Sequence, residues 1–280
     1  MLRRVQKLLN EPGFREAPLT VLARAAKLAV AVPTGTLAPF DLVPGGPKVQ
    51  VPADFRYTTL STFLLRDAME PELHTIQKFV GPGDVFVDVG ANIGLFTVKV
   101  AAKAAKVIAV EPGEAARAQL VGNIALNGFT NVTVVPKALA DKEGSAALHH
   151  NPLGDDPQAF SLISDGSDAG SEQVEMTTLD AVVREAGVDR VDCIKIDVEG
   201  AEGMVIAGGQ HTLATYHPTV IFEMNCPTLF KAGGDPAAAW NALQALGYTF
   251  HKVSHDGTLT ALASRPTDFC NIVARHPSRP

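Results

Sequence analysis

Apolar positions in the first 32 residues recur at mixed three- and four-residue spacings (Leu2, Val5, Leu8, Leu9, then Leu19, Leu22, Ala26, Leu28), which predicts one or two helices. Residues 33–56 carry Pro33, Pro39, Pro44, Gly45, Gly46, Pro47 and Pro52 and read as an extended connector with a short strand at 48–51. From about residue 71 the period changes. A helix over 71–80 ends at Gly81-Pro82-Gly83, and β-branched runs then alternate with helical stretches, the signature of a parallel sheet. Strands are predicted at 85–89, 106–110, 132–136, 193–196 and 219–223, with a terminal pair at 248–253 and 269–274. Helices are predicted at 94–105, 112–127, 179–186, 202–214 and 236–246. The stretch 146–178 is rich in Gly, Ser and Asp (Gly154, Asp155, Asp156, Asp165, Gly166, Ser167, Asp168), too polar for core, and reads as a mobile lid or a solvated loop.

Composition narrows the classes. With 46% hydrophobic and 19% charged residues over 280 positions, the chain is too apolar for disorder, and its longest apolar runs are too short to span a bilayer. Asp and Glu total 30 against 24 Lys and Arg, a formal charge of -6, so there is no electrostatic footprint for nucleic acid. Cys193, Cys226 and Cys270 form no CxxC pair and fit a reducing compartment, none of them a nucleophile. Arg3, Arg4 and Lys7 are followed by Glu11 and Glu16, and no cleavage site precedes Pro33, so no signal peptide is read and a cytoplasmic protein is expected. The apolar N-terminal helical segment is the expected face of a homodimer.

The first strand runs into Asp88-Val89-Gly90-Ala91-Asn92-Ile93-Gly94, where an open α/β sheet holds a nucleotide. Gly90 and Gly94 permit a tight turn and close approach of a ligand to the main chain. The three glycines of a pyrophosphate cradle are absent, and an acid so near the loop favours a cation or hydrogen-bond donors over a phosphate. The second strand ends at Glu111-Pro112, and a carboxylate there accepts two hydrogen bonds from a ribose diol. The combination asks for a nucleoside without a diphosphate. S-adenosylmethionine fits, with Glu111 on its diol and its ammonium near Asp88.

The run from Phe86 to Gly94, then Val110-Glu111-Pro112, Asn123, Asn127-Gly128, Thr178-Leu179-Asp180 and above all Ile194-Lys195-Ile196-Asp197-Val198-Glu199-Gly200-Ala201-Glu202 closely resemble the FkbM-type methyltransferases over residues 70–275. The resemblance implies a class I, Rossmann-like, doubly wound α/β fold with a seven-stranded mixed sheet. The domain would span residues 57–280 behind an N-terminal helical extension and linker at 1–56. It also implies methyl transfer from S-adenosylmethionine, leaving S-adenosylhomocysteine, usually to a hydroxyl of a specialised metabolite, sugar or lipid.

Methyl transfer is an in-line displacement, so holding the acceptor oxygen opposite the sulfur supplies much of the catalysis, and an alcohol also needs a base or a metal. Strand alternation puts Lys195 and Asp197 on one face and Ile194 and Ile196 on the other, with Asp197 toward the transferred methyl. Lys195 either pairs with an acid or orients the substrate oxygen. Glu199 reads as a helix cap or a site residue, Glu202 as an acid complementing a helix dipole, and Glu223 as a second carboxylate beside Asp197. Asp197, Glu223 and Asn225 resemble in position the magnesium-holding acids of catechol O-methyltransferases, but a carboxylate base without metal is preferred.

For adenine, the backbone at Ala138 and the side chain of Leu139 are the candidate contacts. No histidine is assigned as base: His149 and His150 would point opposite ways, His74, His211 and His217 sit in helices, and His251 and His255 lie near the terminal strands. Trp240 reads as core filling. The rivals are a nucleotide-dependent oxidoreductase, opposed by Asn92 and the missing third glycine, and a non-catalytic adenosine-binding protein, opposed by the intact acid run from Asp197 to Glu202.

Overall fold

The computed structural model describes residues 11–150, 160–162, 170–224 and 235–279. Helices α1 (Pro12–Glu16) and α2 (Pro18–Ala31) come first, followed by a two-stranded ribbon of β1 (Phe40–Asp41) and β2 (Lys48–Val49), then α3 (Tyr57–Leu65) and α4 (Pro71–Thr75). The wound portion runs β3 (Val85–Val89), α5 (Leu95–Ala101), β4 (Lys106–Val110), α6 (Glu114–Leu126) and β5 (Val132–Val135). Next come β6 (Ala138–Leu139), β7 (Gly144–His150), β8 (Phe160–Ser161) and β9 (Ser171–Thr177). The chain then forms α7 (Leu179–Glu185), β10 (Cys193–Ile196), α8 (Glu202–Ala207), α9 (Gln210–Tyr216), β11 (Thr219–Met224) and α10 (Ala238–Ala245), and closes with β12 (Thr249–Val253), β13 (Leu259–Ala261) and β14 (Cys270–Arg275).

The main sheet has the order β13-β12-β14-β11-β10-β3-β4-β5, with β11, β10, β3, β4 and β5 parallel and β14 antiparallel to β11. It is the doubly wound α/β arrangement expected, with eight strands in place of seven because β13 adds an antiparallel edge on β12. From β3 the chain winds outward through β4 and β5, then returns to β10 on the other flank. The topological switch point therefore lies between β3 and β10, where open sheets of this kind hold ligands.

The pleat divides the core. Val87, Val89, Ile194, Ile196 and Phe222 belong to the cluster that also holds Leu179, Val205 and Leu243 from α7, α8 and α10. Phe86, Cys193 and Ile221 pack instead with Leu73 and Phe96 from the α4 and α5 side. Trp240 is buried in the first cluster and stacks on Phe250 at 3.7 Å, the packing role expected of it. The N-terminal part is docked on the domain: Val21 and Leu28 of α2 share a buried cluster with Phe63 of α3 and with Ile93 of the loop after β3. Leu19, Leu22 and Val30 of α2 remain exposed.

Two expectations change. The stretch 146–178 is sheet where it is described: β7 and β9 pair antiparallel in a second sheet of order β6-β9-β7-β8, with Leu148 and Val174 buried against Ala138. Gly154, Asp155, Asp156, Asp165, Gly166, Ser167 and Asp168 lie outside the described residues, as do the apolar positions of residues 1–10, Cys226, Asn225 and the side chain of His150. The helix over 202–214 is two helices, broken at Gly208-Gly209. A side chain at Gly208 would meet the Ala140 carbonyl, and one at Gly209 would reach Leu179 at 2.5 Å, so tight packing under β6 outweighs helix continuity. Among the described residues, no helix is long and apolar enough to cross a membrane.

Gly90 has φ +76, and a Cβ there would collide with the Asp197 carbonyl. Replacing it by alanine combines left-handed strain with backbone overlap, so Gly90→Ala should lose about 2–4 kcal/mol in urea denaturation, and a loss near zero would show that β3 and β10 are not locked there.

Candidate active site

At the carboxyl edge of the sheet the loop from Gly90 to Gly94 turns over the ends of β3 and β4. Both Gly90 and Asn92 (φ 50) adopt left-handed backbone. The Asn92 N–H donates to Glu111 Oε2 and the Gly113 N–H to Oε1, each at 2.8 Å. Each carboxylate oxygen so held keeps a free lone pair for another donor. Burial raises the Glu111 pKa to about 7, against the lowering effect of the two N–H bonds. The glycines serve the protein's own packing: Gly90 admits the Asp197 carbonyl, and a Cβ at Gly94 would lie 2.6 Å from Leu120 Cδ1. Ala91 packs with Leu120, and Pro112 accepts through its carbonyl from the Arg117 guanidinium. Asn123 donates from its amide to the Ile93 carbonyl and accepts from the Gln50 N–H, so the resemblance motif residue braces the loop.

Asp88 is fully buried, accepts from Thr97 Oγ1 at 2.6 Å through one oxygen, and has no hydrogen-bond partner on the other. Burial pushes its pKa up, with the Lys195 charge opposing. Lys195 stands in register with Asp88 on the neighbouring strand, donates to Asp197 Oδ2 at 2.9 Å, and sits 4.5 Å from the centre of the Phe96 ring. Burial disfavours its charge, but Asp197, Asp88 and Glu70 outweigh that and hold its pKa above the ordinary lysine value. The expected alternation is present, with Ile194 and Ile196 in the opposite core.

Glu202 braces the turn after β10, accepting from the Gly200 N–H at 3.1 Å and the Val198 N–H at 3.4 Å. Glu199 adopts φ 51 inside that turn, and the N-cap position of α8 falls to Ala201, two residues beyond it. The cavity beside β10 and β11 measures about 80 Å³ and brings Asp197, Glu223 and Lys195 together with Glu70, Glu72 and Phe96. Burial first, then the charges of Asp197, Glu199, Glu202 and Glu70, raise the Glu223 pKa to about 9. A second cavity of about 330 Å³ shares Phe222 and Glu223 with it and includes Glu202.

Glu70 and Glu72 were not among the sequence-derived candidates. In the chain they read as the acidic start of an amphipathic helix, and only the packing of α4 against β10 and β14 turns them inward. Leu139 corrects the adenine expectation: its side chain is 2% exposed within the main core, while Ala138 and Leu139 pair with Met176 and Thr177 of β9. Among the described residues no histidine lines either cavity; His255 stacks on His74 at 4.8 Å, and His217 on His276 at 3.8 Å. Burial pushes the Cys193 and Cys270 thiols up, which suits neither for nucleophilic work. Among the described residues no three His, Cys, Asp or Glu side chains are gathered as a metal set, and Asn225 lies outside them.

Glu70, Glu72, Glu111 and Glu202 at about 7 and Glu223 at about 9 all exceed the ordinary 4.5, so between those limits the native state binds more protons than the unfolded chain. Stability from these groups is complete below pH 4.5 and is lost as pH rises through their native values. The melting temperature of the ligand-free protein should therefore fall steadily from about pH 5 to about pH 9; a flat or rising profile in scanning calorimetry would contradict the buried acid cluster.

Residues 88–250, more than half of the chain, match the family described as the methyltransferase FkbM domain. The AMB antimetabolite synthetase AmbE of Pseudomonas aeruginosa is 27% identical over 205 residues, covering 58% of this chain and 10% of that protein. Methyltransferase sdnD of Sordaria araneosa is 30% identical over 154 residues, covering 44% of this chain and 59% of its own length. The chain thus spans less than two thirds of either relative. Among solved structures, the methyltransferase FkbM from Methylobacillus flagellatus KT aligns with 78% of this chain and 53% of its own at a TM-score of 0.42 and 16% identity. On the match over residues 88–250, the chain belongs to the FkbM methyltransferase family.

Proposed function

We propose that the protein is an S-adenosylmethionine-dependent O-methyltransferase acting on a hydroxyl of a small molecule, a specialised metabolite, sugar or lipid. Membership of the family supports methyl transfer. The observation that carries the rest is the adjacency of two half-sites at one edge of the sheet: the Glu111 carboxylate pinned over the 90–94 loop, and the Lys195–Asp197 pair beside Glu223. The names of the relatives, an antimetabolite synthetase and a methyltransferase, favour a specialised metabolite as acceptor.

The residues present fit the cofactor. Glu111 offers free lone pairs to a ribose diol, and Oδ1 of Asp88, just before the loop, and Oδ1 of Asn92, within it, are buried with hydrogen-bonding capacity unspent. S-adenosylmethionine, when bound, supplies an electrophilic methyl on a sulfonium. Lys195 fixes Asp197 in orientation, and Asp197 with Glu223 accepts the proton of the acceptor hydroxyl. A carboxyl held near 9 by its neighbours is a stronger base once ionised than an ordinary glutamate, which suits an alcohol as proton donor. Glu199 lies in the same turn, and its charge adds to the field on Glu223.

Calorimetric titration with S-adenosylhomocysteine, with NAD as control, tests the cofactor. Binding of the first and not the second is expected; NAD binding alone would turn the site over to redox chemistry. Glu111→Ala should weaken S-adenosylhomocysteine by about 1–3 kcal/mol through lost charge-assisted hydrogen bonds, and unchanged affinity would remove Glu111 from the site. With an accepted substrate in hand, Asp197→Asn should lower kcat by about 10²–10⁴ while leaving S-adenosylhomocysteine affinity within about threefold.

A further inference from the structure

The smaller cavity holds more negative charge than methyl transfer to a neutral alcohol requires. Among the described residues, Glu70, Glu72, Asp197 and Glu223 line it with one ammonium, that of Lys195, which is already committed to Asp197. Glu72 is 4% exposed, and neither of its carboxylate oxygens has a hydrogen-bond partner of good geometry, although the Asn271 amide lies close enough to favour the charged form. A buried carboxylate without a partner costs several kcal/mol unless it is protonated or met by a cation. Burial and the neighbouring Glu70 raise the Glu72 pKa to about 7, so in the ligand-free protein these acids hold protons that a cation would displace. Nothing in the proposed proton transfer uses Glu70 or Glu72.

The walls say which cation. Phe96 and Phe269 line the cavity with Ile221 and Phe222, so half of the surround is aromatic or aliphatic. A divalent ion keeps several waters and wants a shell of oxygens, whereas an alkylammonium gains from carboxylates and from ring faces together. We propose that the acceptor of this enzyme carries a protonated amine, as in an amino alcohol or amino sugar, and that Glu72 and Glu70, with Glu223, receive that ammonium beside the hydroxyl to be methylated. The assignment rests on the methyltransferase reading for the hydroxyl and on the cavity alone for the ammonium. Glu70 and Glu72 are then positioning residues that set specificity.

Ligand-observed NMR titration of the full chain, with and without S-adenosylhomocysteine, compares 4-aminobutan-1-ol with 1,4-butanediol at about pH 8, where the amine stays charged and Glu70 and Glu72 ionise. The amine should bind at least about tenfold tighter than the diol, and Glu72→Gln or Glu70→Gln should reduce that preference to under about threefold with S-adenosylhomocysteine affinity unchanged. Equal binding of the two, no saturable binding of the amine, or a preference that survives both substitutions would overturn the proposal. So would magnesium chloride alone displacing the amine from the same acids. A loss in Glu72→Gln confined to sinefungin, whose amine stands where the methyl would be, would also overturn it by assigning the acid to the cofactor. Failure of S-adenosylhomocysteine to bind, with the amine preference intact, would instead strike the methyltransferase reading and leave the ammonium site standing.

Discussion

At Gly90 the backbone leaving β3 presses against the Asp197 carbonyl so closely that no side chain fits between them. The Asp197 N–H meanwhile donates to the Val89 carbonyl, and the Gly90 N–H to the Val110 carbonyl. The ends of β3, β4 and β10 are thus drawn to one point. Glu111, just beyond β4, and the Lys195–Asp197 pair at the end of β10 are brought to the same edge of the sheet by this close approach. The braces converge on the same place: Asn123 on the Ile93 carbonyl, the α2–α3 cluster on the Ile93 side chain, and Glu202 on the turn after Asp197.

Electrostatics at that edge run against stability. Asp88, Glu111, Glu202, Glu223, Glu70 and Glu72 all have raised pKa values with burial as the leading cause. A buried cluster of like-charged groups with, among the described residues, Lys195 as its cation is poor economy for a fold, and such local violations concentrate where ligands bind. Lys195 makes the cluster tolerable. It faces Asp88 across the strand pair, holds Asp197 directly, and rests over Phe96, so that its own charge is kept despite burial.

Much of the wound core was legible because its strands are short apolar runs closed by glycine or proline: β3, β4 and β10 begin and end where the β-branched pattern does. The acids at the strand ends were legible for the same reason, since topology dictates that residues just beyond such strands share an edge. Other features were hidden. The pairing of β7 with β9 depends on a period-two pattern, Val174 and Met176 opposite Ala146 and Gly144, that is hidden by the polar residues around it. Glu72 follows Pro71 at a helix start, where an acid has an ordinary local reason to be, and its orphaned carboxylate shows only once α4 is packed. Leu139 looked available for adenine because it follows a strand, but the break at Gly208-Gly209 lets α8 and α9 close beneath that segment.

By itself the sequence determined the period of the wound-core strands, the glycine-and-acid pattern of the loop and the family resemblance, because these are encoded within a few neighbouring residues. The tertiary structure alone decided which acids meet, that Glu72 lines a cavity, and that Gly90 and Gly94 leave no room for a side chain against Asp197 and Leu120. Those depend on distances between residues far apart in the chain. Burial and charge act through space, and no local pattern records how many carboxylates will gather around Lys195.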